Sequence, residues 1–312
     1  MRREQGAGSR EQKTDSLLPP PSPLLKKLID YYKKTTFDYS VAWHDRDNPA
    51  IHFGYYDEQA RFHKQALLRL NEVLADLAGI TSGCRVLDAG CGLGASALWL
   101  AKTRQAQVTG ISPVPEQIRS ARISALEQGL ESLVRFEQAD YHQTPFPDRS
   151  FHVVWACESL CHSPAKHLFY QEAFRLLRPG GVLVIAEYMR TGRPLSERQE
   201  FLLADWLSGW VIPDIDTAEE HQSHAENAGF SGMAIRDITA HTWVSHRNLY
   251  THARRWWWLG CLLHAAGIRS ATQHGNHRGA FRQFEALKEK AWIYGLGRAE
   301  KPYFTNNRTF AP

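Results

Sequence analysis

Hydrophobic positions repeat with two different periods along this chain. Over residues 58–79 they follow the three- and four-residue intervals of an amphipathic helix, at Ala66, Leu67, Leu70, Val73, Leu74 and Leu77. Farther on, short apolar runs predict strands over 85–89, 107–111, 134–139, 151–157 and 182–188. The segments between them predict helices over 95–102, 115–128 and 165–177. Strands that alternate with helices in this way predict a parallel, doubly wound α/β sheet that binds ligands at the carboxyl ends of its strands.

The C-terminal part of the chain is less regular. Helical spacing returns over 195–210, and Thr217 to Glu220 form a capping box that begins a helix ending at Gly229. A strand is predicted over 233–239, an aromatic-rich helix or pair of helices over 245–267, a helix over 281–290 and a closing strand over 291–295. We therefore predict seven strands in one mostly parallel, Rossmann-like sheet, with helices on both faces.

This pattern divides the chain into five parts. Residues 1–23 are polar and end in a proline cluster, so we expect a disordered arm. The other parts are an aromatic helical cap at 24–79, the Rossmann-like domain at 80–240, a helical lid insertion at 241–290, and the last strand with a tail at 291–312.

Charge and cysteine content exclude several classes of protein. The chain has 312 residues and a net charge of +4, and residues 1–34 carry eight basic and four acidic residues, so the excess lies in this N-terminal segment. A near-neutral body argues against nucleic-acid binding. The five cysteines show no metal-ligand spacing, no secretory signal is recognisable, and no apolar run approaches the ~20 residues of a membrane span. We expect a cytoplasmic protein without a resident metal, and these properties are compatible with a homo-oligomer.

A glycine-rich loop carries the strongest functional signal. The stretch from Asp88 to Gly94 reads acid-x-Gly-x-Gly-x-Gly, directly after a predicted strand and before a predicted helix. Gly90 and Gly92 allow a tight turn and close approach of the backbone to a ligand, while Asp88 can accept hydrogen bonds from a cofactor's ammonium group. The dinucleotide fingerprint differs, because its third glycine falls three residues after the second. A tight turn without a ligand is the structural alternative. The pattern predicts binding of S-adenosylmethionine (SAM).

Further cofactor contacts are predicted at the ends of the next strands. The second strand ends in Gly110-Ile-Ser112 and lacks the usual ribose-binding carboxylate, so Ser112 and Gln117 are expected to bind the ribose. Asp140, with Tyr141 beside it, is placed to accept from the adenine amino group, although a turn or helix-cap role is the alternative. The predicted cofactor residues are Asp88, Gly90, Cys91, Gly92, Ser112, Gln117, Asp140, Tyr141 and Ala156.

Three segments resemble a known family. They are Tyr31 to Trp43 with His52 to Tyr56, then Gly110-Ile-Ser-Pro113 with Glu116 and Gln117, and finally Glu158-Ser-Leu-Cys-His162 followed by Ser163 and Pro164. Residues 80–190 resemble class I SAM-dependent methyltransferases. Residues 28–190 are similar to the branch of sterol C-methyltransferases and γ-tocopherol methyltransferases, which includes bacterial C-methyltransferases of prenyl diphosphates. Ser159, Leu160 and the C-terminal third depart from that pattern.

The resemblance implies C-methylation of an isoprenoid alkene, such as farnesyl diphosphate, with or without carbocation-driven cyclisation. Such a reaction needs aromatic faces around a carbocation, where cation–π contacts are worth on the order of 2 kcal/mol each when desolvated. The candidates for this cage are Tyr31, Tyr39, Trp43, Tyr55 and Trp206. Alternatively, these rings shield the cofactor's sulfonium or fill the core of the lid.

Two further groups are candidates for catalysis and substrate binding. Glu158 and His162 are four residues apart, so on a helical turn they would share a face and form a carboxylate–imidazole base; alternatively, Glu158 holds the cofactor's amino group. Tyr250, Arg254 and Arg255 are expected to bind the substrate, the arginines as a diphosphate clamp, with a solvated helix face as the alternative. Mg²⁺ is expected only with a diphosphate substrate.

Two other functions remain open. The chain can be a methyltransferase of a phenolic, quinol or other small natural product, with a tocopherol-like or polyketide acceptor. In that case turnover would not depend on Arg254 or Arg255. A SAM-binding protein without catalysis, or a nucleic-acid modifier, is the third hypothesis, although the Asn/Asp-Pro-Pro-Tyr/Phe motif is absent from the sequence.

Overall fold

The computed structural model describes residues 22–42 and 49–303, with the side chains of residues 40–42 outside that description. The predicted arm and the end of the predicted tail therefore lie almost wholly outside the described residues, and so does Trp43. Pro23, which the prediction assigned to the arm, begins the first helix, α1 (Pro23–Ala42). No helix within 22–42 or 49–303 is both long and apolar enough to span a membrane.

A seven-stranded sheet forms the centre of the molecule. Its strands are β1 (Arg85–Ala89), β2 (Gln107–Ser112), β3 (Val134–Gln138), β4 (Phe151–Cys157), β5 (Leu177–Arg190), β6 (Met233–Asp237) and β7 (Trp292–Glu300). The order across the sheet is β3-β2-β1-β4-β5-β7-β6, and β7 is antiparallel to both neighbours. This confirms the prediction of a seven-stranded, mostly parallel sheet. The first five strands in that order run parallel, so their carboxyl ends meet at one edge.

Helices cover both faces of the sheet. On one face lie α2 (His63–Ala78), α3 (Ala95–Arg104) and α4 (Pro115–Glu127), and on the other lie α5 (Lys166–Leu176) and α7 (Ala218–Ala228). The apolar stripe predicted for α2 is buried at Leu67, Leu70 and Leu74. The capping box of α7 forms as predicted, because the Thr217 hydroxyl accepts from the Glu220 N–H while the Glu220 carboxylate accepts from the Thr217 N–H.

A second group of helices forms the lid. It consists of α1, α6 (Glu197–Gly209), α8 (Thr239–Ala265) and α9 (Ala271–Lys288), and α9 packs against the other three. The segment predicted as one helix or two is a single helix of 27 residues. The helix α9 begins ten residues before the prediction, at a capping box formed by Ser270 and Gln273. Its first half contains Gly275 and Gly279, which let α9 approach Gly209 and Trp210 closely but weaken its helical sequence pattern.

Candidate active site

The glycine-rich loop is built as a cradle between β1 and α3. Gly90 has φ of 94°, and a Cβ atom there would lie 2.4 Å from the Cβ of Ser159. The N–H groups of Gly90 and Cys91 both donate to the Ile111 carbonyl, at 2.9 Å each. Only glycine combines this left-handed conformation with such close approach, so the loop passes directly over the end of β2.

The Asp88 carboxyl lies beneath this cradle and fits a cofactor's donor. It is buried, and one of its oxygens, Oδ2, has no hydrogen-bond partner within the described structure. Burial raises the pKa of Asp88 to about 7. A buried carboxyl oxygen without a donor is costly, so this position favours a ligand that brings an N–H group. The ammonium of SAM has the required chemistry.

The predicted ribose residues contact each other. The Ser112 hydroxyl donates to the Gln117 carbonyl oxygen at 2.7 Å and accepts from the Val114 N–H at 3.1 Å. Both side chains are buried and line the same cavity as Asp88. Because Gln117 accepts with its oxygen, its amide nitrogen is oriented as a donor for a ligand hydroxyl. The pair therefore fits the role that an acidic residue usually has at this place.

The predicted adenine residues are held by neighbours that the prediction missed. Asp140 Oδ1 accepts from the His142 backbone N–H at 2.9 Å and lies 2.7 Å from His142 Nδ1. Burial opposes ionisation of Asp140, but these hydrogen bonds hold its pKa below the ordinary value. The Tyr141 hydroxyl donates to the Ser159 carbonyl at 3.0 Å, and His142 Nε2 lies 2.7 Å from the Ser163 hydroxyl. Asp140 remains ionised and can accept from an amino group.

One cavity of about 840 Å³ joins these groups to the lid. Its wall includes the loops that follow β1 to β4 and side chains of α1, α8 and α9. Seven predicted cofactor residues line it together with Asp88, namely Gly90, Cys91, Gly92, Ser112, Gln117, Asp140 and Tyr141. The ninth predicted cofactor residue, Ala156, does not line the cavity, because it is buried inside β4, and Cys157 lines the cavity instead.

Glu158 lies on the wall between the cofactor cradle and the lid. Its backbone has φ of 49°, which is unusual for a residue with a side chain and characteristic of functional sites. Its carboxyl accepts from the Phe53 N–H and the Tyr294 hydroxyl, at 2.6 Å each, and from the Tyr188 hydroxyl. Burial raises the pKa of Glu158 to about 8. Near neutral pH the group is largely a protonated acid.

His162 lies on the same wall with a different set of partners. Its Nδ1 lies 3.2 Å from the Val211 carbonyl, which can only accept, so Nδ1 carries the proton. Nε2 is then the acceptor and receives the Tyr32 hydroxyl at 2.9 Å. Burial lowers the pKa of His162 to about 4. The imidazole is therefore neutral and fixed in one tautomer, with its basic nitrogen toward the Tyr32 hydroxyl.

The predicted Glu158–His162 pair does not form. The helical turn that would align them is absent, because Glu158 has a left-handed backbone and only Leu160–His162 form a short 3-10 turn. None of the hydrogen bonds among the described residues joins the two side chains. Both residues line the cavity, but the predicted direct contact between them was wrong.

The predicted aromatic cage is only partly assembled. Tyr31 and Tyr39 line the cavity, with their hydroxyls 3.0 Å apart, and Tyr31 also donates to Asn276. Tyr55 was predicted wrongly, because its ring stacks on His241 at 4.2 Å, away from the cavity. Trp206 was also wrong, since it is fully buried against Trp292 at a ring distance of 4.9 Å. Tyr32, Tyr188 and Trp210 line the cavity instead, although the sequence pattern did not single them out.

The predicted diphosphate clamp faces away from the cavity. Arg254 and Arg255 are exposed, and their guanidinium groups lie over Phe281 at 5.3 Å and Trp256 at 5.8 Å. Tyr250 packs on Phe284 at 5.2 Å. None of these three predicted substrate residues lines the cavity. The helix α8 presents another face to it, with Leu249, His252, Ala253 and Trp256.

Comparison with known proteins agrees with this geometry. The family described as "Methyltransferase domain" matches residues 87–185. The 27-O-demethylrifamycin SV methyltransferase of Amycolatopsis mediterranei is 33% identical over 259 residues, which cover 81% of this chain and 90% of that protein. The sterol 24-C-methyltransferase ERG6A of Gibberella zeae is 37% identical over 161 residues, 52% of this chain and 41% of that protein.

A solved structure extends the similarity through the lid. The crystal structure of the [4+2]-cyclase SpnF superposes with a TM-score of 0.74 and 26% identity, and covers 91% of this chain and 98% of that one. Identity above 30% over most of a relative's length, together with the strand order and the glycine cradle, defines the family. The chain belongs to the class I SAM-dependent methyltransferases and is an enzyme of that type.

Proposed function

We propose that this enzyme methylates a hydroxyl group of a large, uncharged and mostly apolar acceptor of polyketide type. The observation that carries the proposal is the His162 imidazole, which the Val211 carbonyl holds with Nδ1 protonated and whose Nε2 receives the Tyr32 hydroxyl on the cavity wall. A hydroxyl must lose its proton as its oxygen is methylated, and a neutral imidazole in a fixed tautomer can take that proton.

The chain's own groups provide a path for the proton. Tyr32 donates to His162 Nε2, so the Tyr32 oxygen can in turn accept from an acceptor hydroxyl. Burial raises the pKa of Tyr32 well above its ordinary value, so the phenol stays neutral and relays the proton rather than losing it. The acceptor O–H bond breaks, an O–CH₃ bond forms, and the proton ends on Nε2. When bound, SAM supplies the methyl group as an electrophile and leaves as a neutral thioether.

The charge of the cavity supports an uncharged acceptor. Among the described residues of its wall, Arg269 is the one arginine and no lysine occurs. The Arg269 guanidinium already donates to Asp38 at 2.7 Å. A diphosphate needs several uncompensated cations or a metal ion. The residues of this wall therefore do not support the predicted prenyl diphosphate substrate. Mg²⁺ is expected only if the substrate is a diphosphate.

The similarity to the rifamycin enzyme supports the same class of acceptor. That relative's name describes methylation of a demethylated oxygen on rifamycin SV, and it matches this chain over most of both lengths. A cavity of about 840 Å³ lies near the upper end of the range for small-molecule sites and fits a bulky acceptor beside the cofactor.

A neutral isoprenoid alkene is the second candidate. The observation that favours it is the Glu158 carboxyl, held by Tyr188 and Tyr294, which lines the same cavity as the aromatic rings of Tyr31 and Tyr32. Such rings can stabilise a carbocation, and the Glu158 carboxyl can receive the proton that the cation loses when it is in its ionised form, which its pKa of about 8 favours only at alkaline pH. Sterol C-methyltransferases are similar to this chain, although the similarity to ERG6A covers less than half of that protein.

A panel of acceptors separates these functions. The enzyme is incubated with SAM and 27-O-demethylrifamycin SV, a sterol with a side-chain alkene, or farnesyl diphosphate, and the products are analysed by mass spectrometry. We expect a mass gain of one methylene on the polyketide hydroxyl acceptor. A gain on farnesyl diphosphate alone would overturn the proposal. Conversion to an isomer without any mass gain would indicate a cyclase.

A further inference from the structure

Exposed apolar side chains gather at one end of the lid. Within the described part of the chain, Trp256, Trp258, Leu262 and Ile268 are 44%, 59%, 59% and 71% exposed. We call these four residues, with Arg254 and Arg255, the lid tip. Exposed apolar side chains that cluster in one region of a protein often mark the site where it binds a partner or a membrane.

The residue spacing in α8 places arginine and apolar side chains on one face of the helix. Arg254, Trp258 and Leu262 are separated by four residues each, so they share one face of the helix. Arg255 lies over the Trp256 ring, and Trp256 itself lines the cavity. The lid tip therefore joins an exposed tryptophan–arginine surface to the wall of the acceptor cavity.

The charge of this region has one sign. Residues 238–284 contain six arginines and no acidic residue. Three of these arginines are compensated by acids of other elements, Arg269 by Asp38 and both Arg278 and Arg282 by Asp205. None of the ion pairs found among residues 22–42 and 49–303 includes Arg254 or Arg255. In α1, Lys26, Lys27 and Lys33 add exposed cations near the residues of this helix that line the cavity.

We propose that the lid tip docks on an anionic phospholipid surface, from which an apolar acceptor enters the cavity. Tryptophan and leucine side chains enter the interface of a bilayer, while arginines pair with lipid phosphates. This partner accounts for both features of the lid tip at once, its uncompensated positive charge and its exposed rings. It also gives a role to the arginines that do not reach the cavity.

Vesicle binding tests this proposal without any acceptor. The full chain is floated with vesicles of phosphatidylcholine alone or of phosphatidylcholine mixed with phosphatidylglycerol. We expect about tenfold or greater preference for the anionic vesicles, which falls with added salt. The double variants Arg254→Glu/Arg255→Glu and Trp258→Ser/Leu262→Ser should each lose about tenfold or more of that binding.

A matched control lies on α6. Phe201 is 53% exposed, and Arg198 lies 5.9 Å from its ring. The double variant Arg198→Glu/Phe201→Ser therefore removes an arginine and an exposed aromatic ring from a different part of the surface. This variant should bind vesicles as the unaltered chain does. Calorimetry with S-adenosylhomocysteine checks that every variant is folded.

Three results would overturn the proposal. They are equal binding to both kinds of vesicle, equal loss in the α6 control, and a soluble dimer that the lid-tip variants abolish. The last result would assign the lid tip to self-association. Each is independent of which acceptor the enzyme methylates, so the proposed function can fail while this one stands.

Discussion

The two sides of the cavity are constructed differently. The cofactor side consists of loops that follow consecutive parallel strands, so residues 88–92, 112–117 and 140–142 meet because the sheet aligns their ends. The lid side consists of α1, which is distant in sequence, and of the consecutive helices α8 and α9, and packing sets how these three helices are oriented against one another. Local sequence determines the first side, and tertiary contacts determine the second.

The first prediction concerns His162, where the two sides meet. His162→Gln should lower kcat roughly 100-fold or more, because the neutral imidazole no longer takes a proton, while S-adenosylhomocysteine binding should be unchanged. Steady-state kinetics with the hydroxyl acceptor and calorimetry measure the two quantities. Since the pKa of His162 is about 4, the rate in the unaltered enzyme should not fall through protonation of His162 until the pH approaches 4. Equal losses in kcat and in cofactor affinity would contradict this separation.

The second prediction concerns the cradle. Gly90→Ala places a Cβ 2.4 Å from Ser159 at a positive φ, so we expect a loss of folding free energy on the order of 3 kcal/mol. Gly129→Ala is the matched control, because Gly129 has φ of 64° but no atom within 4 Å of the added Cβ. It should lose only about 1 kcal/mol. Urea denaturation compares them, and equal losses would show that close approach at the cradle is unimportant.

The third prediction concerns Glu158 and pH. Its pKa is raised from 4.5 to about 8, so its contribution to stability is fully present below pH 4.5 and is lost as the pH rises through 8. Glu158→Gln cannot ionise, and its stability relative to the unaltered chain should therefore increase between these pH values. Thermal denaturation across the pH series measures this trend. A difference that stays constant with pH would contradict the raised pKa.

The fourth prediction concerns the ribose position. Gln117→Leu removes the amide whose oxygen accepts from Ser112 and whose nitrogen is free to donate to the ribose, so S-adenosylhomocysteine should bind roughly five- to tenfold more weakly. Calorimetry measures the affinity, with Gln138→Leu as a control at an exposed amide on the same edge. Unchanged binding in Gln117→Leu would remove this residue from the cofactor site.

The smallest effect is expected at the lid arginines. Arg254→Ala/Arg255→Ala should change kcat/KM for a dissolved acceptor by no more than about twofold, because neither side chain lines the cavity. Steady-state kinetics without vesicles measures it. A loss of a hundredfold or more would indicate that Arg254 and Arg255 bind the substrate, as the predicted diphosphate clamp requires.

The same contrast explains what the sequence could predict. The strands, the cradle and the residues at the strand ends follow from local patterns, so Asp88, Ser112 and Gln117 were placed correctly on the cavity. Even the exception, Ala156, is adjacent to a lining residue. The sheet order confirms the fold, because alternating strands and helices leave few alternatives.

The lid was predicted less well for a physical reason. Which aromatic rings face the cavity depends on how α1, α8 and α9 rotate against each other, and no local pattern fixes that rotation. Trp206 fills the core, whereas Tyr32 reaches His162 across 130 positions of sequence. Similarly, the partners of Glu158 come from β5, β7 and the segment before α2, so spacing within Glu158–His162 could not reveal them.

The position of the transferred methyl group distinguishes O-methylation from C-methylation. The enzyme is given SAM labelled with ¹³C in its methyl group and a polyketide acceptor that carries both a free hydroxyl and an alkene, and the product is analysed by NMR. The account predicts the label in an O-methyl group, with the yield lost in His162→Gln and retained in Arg254→Ala/Arg255→Ala. A label bonded to carbon, formed equally well without His162, would contradict it.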